Sequence, residues 1–503
     1  MPRSFLRAMT HDFVVVGAGV SGLTSALLLA RNGYSVALVE KAGHTAPLLR
    51  GFSRRGVHFD TGFHYAGGMG KGEPLDVFFR YLGLSDRLSS FPFDANGFDT
   101  IRTVPNGFEF RFPSGYDPLR ENLVEAFPAE RSAVETYLRA VRSVFDSVPY
   151  LNLDAPLDPN GALRRVFGPT LRETLDSLTG DEILKSVLST HCLLYGVPPE
   201  EVSFQQHAGI VGSYYLSARG IAGGGRSLAT AFDARLEELG VEIHRGCEVT
   251  SLSVAPEGVL RGVQLEGGKE LRCGGAVVTV HPRTMLEMVP GGSFRPAYKN
   301  RIMGLEDTVS AFMLYSVSDL PVPALSGRNL FVLPSADGFR RIGNRPLEES
   351  PLYLTAARMH PGDVPRGFIG IFPTLPETTR EWEDSVTGNR PESYRRFKEG
   401  ITVRMEHLVK RYCPELGRAT ACVETSTPLT VRDFGNAPSG GLYGVKHKVG
   451  QYNPVPLTRV KGLYLAGQAV TSPGILGAIL SGFMACGNIL GHDRLIKGLK
   501  ACR

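Results

Sequence analysis

The chain has 503 residues and a formal net charge of +5, from 55 Lys and Arg against 50 Asp and Glu. This length exceeds one compact domain and favours two or three. Hydrophobic residues make up 42% and charged residues 21%, which is usual for globular proteins and excludes a disordered chain. The 59 glycines follow no triplet period, which excludes collagen. The small basic excess does not indicate nucleic-acid binding and suits an anionic cofactor or an acidic membrane surface.

Cysteine usage and the chain ends bear on the compartment. The cysteines are odd in number and form no C-x-x-C pair, which indicates free thiols in a reducing environment. The initial segment, MPRSFLRAMTHDF, lacks the apolar core of a secretory signal. The basic, partly amphipathic tail at 490–503 leaves two interpretations open, contact with a membrane surface and a solvated helix end. We therefore expect a cytoplasmic protein, with peripheral membrane contact as the open alternative.

Residues 12–40 predict a βαβ unit. The segment DFVVVG has the composition of a strand buried on both faces. An apolar helix pattern, LTSALLLARNG, follows the turn GAGVSG, and YSVALVEK is a second strand that ends in Glu40. The order strand, Gly-rich turn, helix, strand and acid is that of a dinucleotide-binding unit.

The three glycines of the turn and the acid that ends the unit each have a physical role. Gly17 allows the tight turn, Gly19 lets the backbone approach a pyrophosphate, and Gly22 lets the helix pack on the sheet. Glu40 stands where a carboxylate accepts from ribose hydroxyls, which favours FAD or NAD over NADP. The alternative is a glycine-rich turn with a surface glutamate. The predicted contacts at the helix N-terminus are Gly17, Gly19, Val20, Ser21 and Gly22.

The segments that follow separate FAD from NAD. An NAD dehydrogenase continues through further βαβ units, whereas residues 97–112 alternate across Asn106-Gly107 and predict an antiparallel hairpin. Residues 118–197 have a mostly helical pattern, and 291–424 mix strands with a long helix. The uncharged run 462–491 predicts a strand, a loop and a buried helix rather than a membrane span.

This alternation of segment types predicts an α/β fold, a Rossmann-type FAD-binding domain with an inserted mixed α+β substrate domain. The FAD-binding domain is expected to comprise residues 1–95, 206–290 and 425–503, and the substrate-binding domain residues 96–205 and 291–424.

Several stretches resemble a known family of flavoproteins. They are GAGVSGLTSALLLARNGYSVALVEK, GVHFDTGFHY, GGGRSLATAFDARLEELGVEIHRGCEVTSL, GLYGVKHKVGQYNP and GLYLAGQAVTSPGILGAILSG. Together they resemble the FAD-dependent phytoene desaturases, carotenoid isomerases and retinol saturases, most of all the retinol-saturase-like members. The more distant amine oxidases are similar as well.

The resemblance implies an FAD-dependent oxidoreductase that acts on carbon–carbon double bonds of a carotenoid, retinoid or other polyprenoid. Saturation, desaturation and flavin-assisted cis–trans isomerisation stay open. Its partners would be a hydrophobic polyene or isoprenoid substrate and an electron donor or acceptor that the sequence does not identify. Two alternatives are an amine oxidase of the same fold and a flavin-bound, non-catalytic protein that binds a lipid or a partner.

The resemblance also implies which residues contact the cofactor. In the C-terminal stretch a helix that begins near residue 474 offers N–H groups to the second phosphate or to the flavin O2 edge. Two departures stand out, because Ala46-Pro47 replaces a usual Gly-Gly and Ala469 replaces a usual acid. The further candidate contacts are Lys41, Arg50, Gly62, Val249, Gly467, Gln468, Gly474, Gly477 and Ala478.

The catalytic candidates come from two of these stretches. They are His64 and Tyr65 in FDTGFHY, and Lys446 and His447 in YGVKHKV. Each stretch supplies groups able to move a proton near a flavin. The alternative for the histidines is a satisfied structural role, and for the lysine a solvated face. No zinc-binding spacing, GxSxG elbow or Walker loop occurs, so no metal site is predicted.

Overall fold

The computed structural model describes residues 10–158, 161–335, 337–358, 360–417 and 420–503. Residues 1–9, which we assigned to the cofactor domain and which form most of the initial segment considered above, lie outside the described residues. The strands are β1 (Thr10–Val16), β2 (Val36–Glu40), β3 (Phe52–Arg54), β4 (Val57–Phe59), β5 (Ala66–Gly67), β6 (Ser90–Pro92), β7 (Asp99–Thr103), β8 (Glu109–Phe112), β9 (Ala218–Ile221), β10 (Glu242–Arg245), β11 (Val249–Val254), β12 (Leu260–Leu265), β13 (Glu270–Val278), β14 (Ser310–Ser318), β15 (Asn329–Leu333), β16 (Leu352–Ala356), β17 (Gly367–Thr374), β18 (Thr420–Ser426) and β19 (Leu463–Leu465).

The helices surround two large sheets. In chain order they are α1 (Val20–Arg31), α2 (Pro47–Arg50), α3 (Pro74–Leu82), α4 (Tyr116–Ala126), α5 (Arg131–Asp146), α6 (Gly161–Phe167), α7 (Leu171–Leu178), α8 (Glu182–Ser189), α9 (Phe204–Leu216), α10 (Gly224–Glu238), α11 (Pro282–Met288), α12 (Pro296–Met303), α13 (Glu392–Tyr412), α14 (Pro414–Gly417), α15 (Pro428–Gly435), α16 (Gly474–Leu490) and α17 (His492–Lys500).

The first sheet has the order β10-β2-β1-β13-β12-β11, and β19 also pairs with β13. Strands β10, β2, β1, β13 and β19 are parallel, while β11 and β12 extend the sheet antiparallel. Val14 and Val15 are fully buried in clusters on opposite faces of β1. The predicted βαβ unit and the α/β fold class are confirmed.

The second sheet has the order β18-β14-β17-β16-β15-β7-β8. Its pairs are antiparallel except β7 with β15. The hairpin predicted across Asn106-Gly107 is confirmed, since Asp99 pairs with Phe112. The largest core cluster packs this sheet against α4, α5 and α7 to α9. Helix α9 contributes Ala208 and Val211 to this cluster, although we assigned it to the cofactor domain; the exact domain boundaries stay a prediction.

The C-terminal part of the chain is a strand, a loop and two helices. Strand β19 and helix α16 confirm the elements predicted for the run 462–491. Leu495 and Leu499 of α17 are fully buried in the core beneath the first sheet. The apolar face of the C-terminal tail therefore packs against the rest of the protein. Among the helices of the described residues, none combines the length and apolarity needed to cross a bilayer.

Candidate active site

A cavity of about 1160 Å³ lies between the two sheets. One end is lined by the turn after β1 and by the end of β2, the middle by residues 62–65 and the start of α16, and the far end by β14, β16 and β17. The cavity therefore joins the elements predicted to hold a cofactor to the sheet predicted to hold a substrate.

The turn after β1 requires glycine at two positions and leaves space at a third. Gly17 has a φ of +94°, which side chains disfavour. A Cβ on Gly22 would lie 1.9 Å from the carbonyl oxygen of Gly17, so only glycine lets α1 pack there. Gly19 lines the cavity, and no protein atom lies within 4 Å of the place where its Cβ would be. Gly17 and Gly22 thus shape the backbone, and Gly19 leaves room for a ligand.

Glu40 is held in the cavity wall by the backbone. Its Oε2 accepts from the N–H of Ala18 at 2.7 Å and its Oε1 from the N–H of Ala42 at 2.9 Å. The side chain is buried but lines the cavity, and each oxygen keeps acceptor capacity. Glu40 can therefore accept hydrogen bonds from ligand hydroxyl groups.

Helices α1 and α16 begin side by side at the cavity. The Ser21 hydroxyl donates to the carbonyl oxygen of Ala478 at 2.7 Å, which ties the two first turns together. Neither helix has a side-chain cap, so their first N–H groups are left for a ligand. A Cβ on Gly477 would lie 2.4 Å from the carbonyl oxygen of Ser472. The predicted contacts that line the cavity here are Val20, Ser21, Gly467, Gln468, Gly474, Gly477 and Ala478.

Arg50 differs from the other predicted cofactor contacts, because the structure places it outside the cavity wall. Its guanidinium group donates to Asp233 at 2.6 Å and to Thr45 at 2.7 and 2.9 Å. It therefore holds α2 to α10 rather than reaching toward a ligand. Lys41, Gly62 and Val249 do line the cavity.

The two departures from the family pattern lie in segments that hydrogen bonds within the chain hold in place. Ala46 has a φ of 47° and a ψ of 54°, a left-handed conformation that glycine adopts at lower cost. Its N–H donates to the carbonyl oxygen of Ala18 at 2.8 Å. The carbonyl oxygen of Ala469 accepts from the side chain of Asn453 at 3.1 Å. Hydrogen bonds within the chain thus hold both segments, although the usual Gly-Gly and acid are replaced.

His64 and Tyr65 both line the middle of the cavity. Burial lowers the pKa of His64 to about 4, so its imidazole is neutral at pH 7. Its Nδ1 is buried and has no hydrogen-bond partner among the described residues. Burial raises the pKa of Tyr65 well above its ordinary value, so the phenol stays protonated.

A buried carboxylate lies behind Tyr65. Asp99 is fully buried, and its Oδ2 accepts from the Tyr65 hydroxyl at 2.6 Å and from Nε2 of His191 at 3.0 Å. Its Oδ1 accepts from the Asn329 side chain at 2.8 Å. Three donors therefore fix this carboxylate and, through it, the direction of the Tyr65 hydroxyl.

Lys446 and His447 lie outside the cavity wall. The Lys446 ammonium group pairs with Glu201 at 2.8 Å. His447 Nε2 donates to the carbonyl oxygen of Gln468 at 2.7 Å, and burial lowers the His447 pKa to about 4. The structure thus brings His64 and Tyr65 to the cavity and places His447 behind a residue that lines it.

Three tyrosines of the cavity were missing from the candidate site residues. Tyr214, Tyr353 and Tyr443 line it together with Tyr65, and they come from α9, β16 and the loop before β19. They stand far apart in the sequence and belong to no common motif. Tyr443 is the first residue of the stretch YGVKHKV, in which we selected Lys446 and His447 instead.

A comparison with protein families decides the classification. The family model described as flavin containing amine oxidoreductase matches residues 20–330, more than half of the chain. The chain belongs to this family.

Several known proteins are similar to this chain along most of its length. Human all-trans-retinol 13,14-reductase is 25% identical over 97% of this chain and 87% of its own length. Prolycopene isomerase 2 from an Oncidium hybrid cultivar is 23% identical over 95% of this chain and 83% of its own length. An oxidoreductase from Methanosarcina mazei aligns with a TM-score of 0.67 at 16% identity over 94% of this chain and 99% of its own. Putrescine oxidase bound to putrescine aligns with a TM-score of 0.63 at 14% identity over 96% of this chain and 99% of its own. These two structures show the fold alone.

The residues at the glycine-rich end fit the cofactor of this flavoprotein family. Gly19 leaves space, α1 and α16 present uncapped N-termini, and Glu40 keeps acceptor capacity in the wall. These are the groups that an FAD pyrophosphate and ribose need. The protein is an FAD-dependent oxidoreductase.

Proposed function

We propose that this flavoprotein transforms carbon–carbon double bonds of a hydrophobic polyprenoid, such as a carotenoid or a retinoid. The observation that carries the proposal is the similarity, over nearly the whole chain, to proteins named for the reduction of retinol and the isomerisation of prolycopene. Saturation with reduced flavin, desaturation with oxidised flavin and isomerisation are the three forms of this chemistry, and relatives similar to this chain carry names of each kind.

The lining of the cavity beyond the glycine-rich end supports an apolar substrate. It includes aromatic and aliphatic side chains from the second sheet, from α9 and from residues 193–194. A polyene offers almost no polar atoms, so shape and apolar contact must hold it. Representative lining residues are Leu193, Ile210, Met313, Tyr353 and Ile371.

The protein side of the chemistry falls to His64 and Tyr65. FAD, when bound, transfers hydride to or from carbon. His64 is a neutral imidazole at the cavity, and the protonated Tyr65 hydroxyl donates to Oδ2 of Asp99, with 2.6 Å between the two oxygens. Both groups can therefore supply or accept the proton that accompanies the change at carbon. His447 acts as a positioning residue, since it donates to the carbonyl oxygen of Gln468 in the cavity wall.

Product analysis tests the proposal. The FAD-loaded protein, reduced with dithionite without oxygen or left oxidised, is incubated with retinol, phytoene and prolycopene. We expect at least one of them to gain two hydrogens, lose two hydrogens or change geometry, as measured by mass and by NMR. Unchanged polyenes under both conditions, together with amine turnover and peroxide release, would replace the proposal with amine oxidation, for which the putrescine oxidase fold is the precedent.

We also propose that the substrate enters from a membrane surface through the exposed edge of the cavity. Leu48 of α2 and Phe434 of α15 line the cavity yet are 44% and 63% exposed. A Cβ on Gly435 would lie 3.7 Å from Leu48, so the two helices meet at this edge. Arg54 and Arg395 also line it and are half exposed or more, which suits anionic headgroups.

Replacing both Leu48 and Phe434 with Asp is expected to reduce vesicle binding at least tenfold. Burial of each side chain in the interface contributes about 1.5–3 kcal/mol, and the added charges oppose anionic lipid. Flotation with vesicles of phosphatidylcholine and phosphatidylglycerol measures the bound fraction. Val403→Asp is the matched control, since Val403 is 65% exposed on α13 and does not line the cavity. Equal binding of wild type and double variant would contradict the proposal.

A further inference from the structure

Helix α12 carries a group of cations on the protein surface, which we call the basic face: Arg295, Lys299 and Arg301. Arg295 and Arg301 are exposed, and Lys299 is half-buried. Arg295 stands at the start of the helix and Lys299 follows one turn later, so these two lie on the same side of it. The segment 291–304 contains no Asp or Glu, so the helix supplies no counter-charge of its own.

The rest of the protein does not neutralise the basic face either. Among the described residues, no carboxylate forms an ion pair with any of the three cations, and the Arg301 guanidinium carbon instead lies 5.0 Å from the ring centroid of Tyr298. Lys446, by contrast, is paired with Glu201 at 2.8 Å. The charge of the basic face is therefore open to an anionic partner from outside.

The opposite side of α12 supports the cavity wall. Ile302 and Leu305 are buried and pack in one cluster with Ala469, which lines the end of the cavity where α1 and α16 begin. The chain after the helix is fixed to the same wall, since Oδ1 of Asp307 accepts from Nε2 of His281, a cavity residue, at 3.0 Å. One layer of packed side chains thus separates α12 from the cofactor end of the cavity.

The composition of the basic face favours a protein partner over a membrane. Among the described residues of α12, Met303 is the one large apolar side chain that is more than half exposed, at 54%. A helix that lies on a membrane needs several large apolar side chains beside its cations. Charge without apolar area accelerates association more than it raises affinity, and transient redox complexes have small interfaces of this kind. The basic face therefore suits an acidic protein that binds briefly and leaves.

We propose that the basic face docks an acidic one-electron carrier protein, which exchanges electrons with FAD across the wall formed by α12 and Ala469. Electron transfer between proteins is fast only where the two redox groups come close, and this wall is thin. In the reducing direction two carriers are each oxidised by one electron, and two protons from solvent complete the reduction of FAD to FADH₂. In the oxidising direction two carriers each take up one electron, and two protons return to solvent.

Stopped-flow reduction of the oxidised, FAD-loaded protein tests the inference. The probe is an acidic plant-type ferredoxin, which has a low reduction potential and is reduced photochemically so that no dithionite is present. We expect flavin absorbance to be lost at a rate that rises with ferredoxin concentration. Because salt screens the attraction between the two proteins, this rate should fall at least tenfold between about 0.01 M and about 0.5 M salt.

Reversing the charge of the basic face with Arg295→Glu, Lys299→Glu and Arg301→Glu together is expected to lower the ferredoxin-dependent rate at low salt at least tenfold. Direct photoreduction with deazariboflavin, a small neutral reductant, should keep its wild-type rate because it needs no docking surface. FAD content and thermal midpoint establish that the variant is folded and loaded.

A second triple variant controls for net charge. Arg139→Glu, Lys410→Glu and Arg411→Glu make the same change in charge at exposed positions of α5 and α13, two helices that pack in the core of the second sheet. Arg411 also lies over a neighbouring ring, that of Tyr412, as Arg301 does. We expect this variant to accept electrons from ferredoxin within twofold of the wild-type rate.

The inference is overturned if the variant of the basic face is reduced by ferredoxin as fast as the wild type, or if the control variant is slowed as much. It is also overturned if ferredoxin does not reduce the wild type. Weaker binding of the basic-face variant to phosphatidylglycerol vesicles, with an unchanged ferredoxin rate, would assign the face to a membrane instead. The inference needs bound FAD and no particular substrate, so polyene turnover with photoreduced protein judges the proposed function separately.

Discussion

Gly19→Val is expected to give protein that purifies without bound FAD and lacks the flavin absorbance band. The valine side chain would project into the cavity, because no protein atom lies within 4 Å of the Cβ position. The pyrophosphate must pass close to this backbone in a turn of this kind, so the side chain and the cofactor exclude each other. We expect FAD affinity to fall at least a hundredfold, measured by titrating the apoprotein with FAD.

The same geometry predicts that Gly19→Val folds, with lower stability. The φ of Gly19 is −68°, which valine adopts without strain. The loss of bound FAD removes the stabilisation that a ligand gives to the native state, so the thermal midpoint should fall to that of the wild-type apoprotein. Gly22→Val should behave differently and fail to fold, since its Cβ would lie 1.9 Å from the carbonyl oxygen of Gly17.

A matched substitution controls for the effect of valine itself. Gly180 also has no protein atom within 4 Å of its Cβ position, but it precedes α8 and does not line the cavity. Gly180→Val should keep FAD. A yellow, stable Gly19→Val protein would refute the assignment of the glycine-rich turn.

The cofactor end of the molecule was predictable because its requirements are local. Gly17 needs a positive φ and Gly22 needs the absence of a side chain, and both follow from one turn between a strand and a helix. Glu40 ends the next strand of the same unit. The helix after residue 474 was predictable for a similar reason, since a short strand, a loop and a small-residue helix follow each other directly.

The middle of the cavity was not predictable because it depends on contacts between distant segments. Arg50 pairs with Asp233, 183 residues away. Its position in the sequence therefore did not show that its side chain lies outside the cavity wall. Tyr353 reaches His64 only through the pairing of β16 within the second sheet. The residue before α2 shows a further limit, because Ala46 adopts the left-handed conformation expected of glycine. Residue type alone did not show this conformation, because alanine rarely adopts it.

Lowering the pH from 7 to 4 is expected to destabilise the FAD-saturated protein strongly. Burial lowers the pKa values of His64 and His447 to about 4 and that of His207 to about 3. Below the ordinary pKa of 6.5 the unfolded chain takes up protons at these positions and the folded protein does not. Above pH 6.5 these histidines therefore do not reduce the free energy of unfolding. As the pH drops toward 4, that free energy falls by about 3 kcal/mol for each histidine. Asp60 opposes this change, because burial raises its pKa, whereas His58 adds to it, because burial lowers its pKa to about 4.

Urea unfolding from pH 7 to pH 4 measures this dependence, and a single substitution isolates one histidine. His64 has no hydrogen bond to lose at its buried Nδ1, so His64→Leu should chiefly remove its titration. Between pH 6 and pH 5 the slope of the unfolding free energy should decrease by about 1.4 kcal/mol per pH unit, the value for one proton. His360→Leu, at an exposed position, should leave the slope unchanged. A wild-type unfolding free energy that stays constant from pH 7 to pH 5 would show that these histidines are not held neutral.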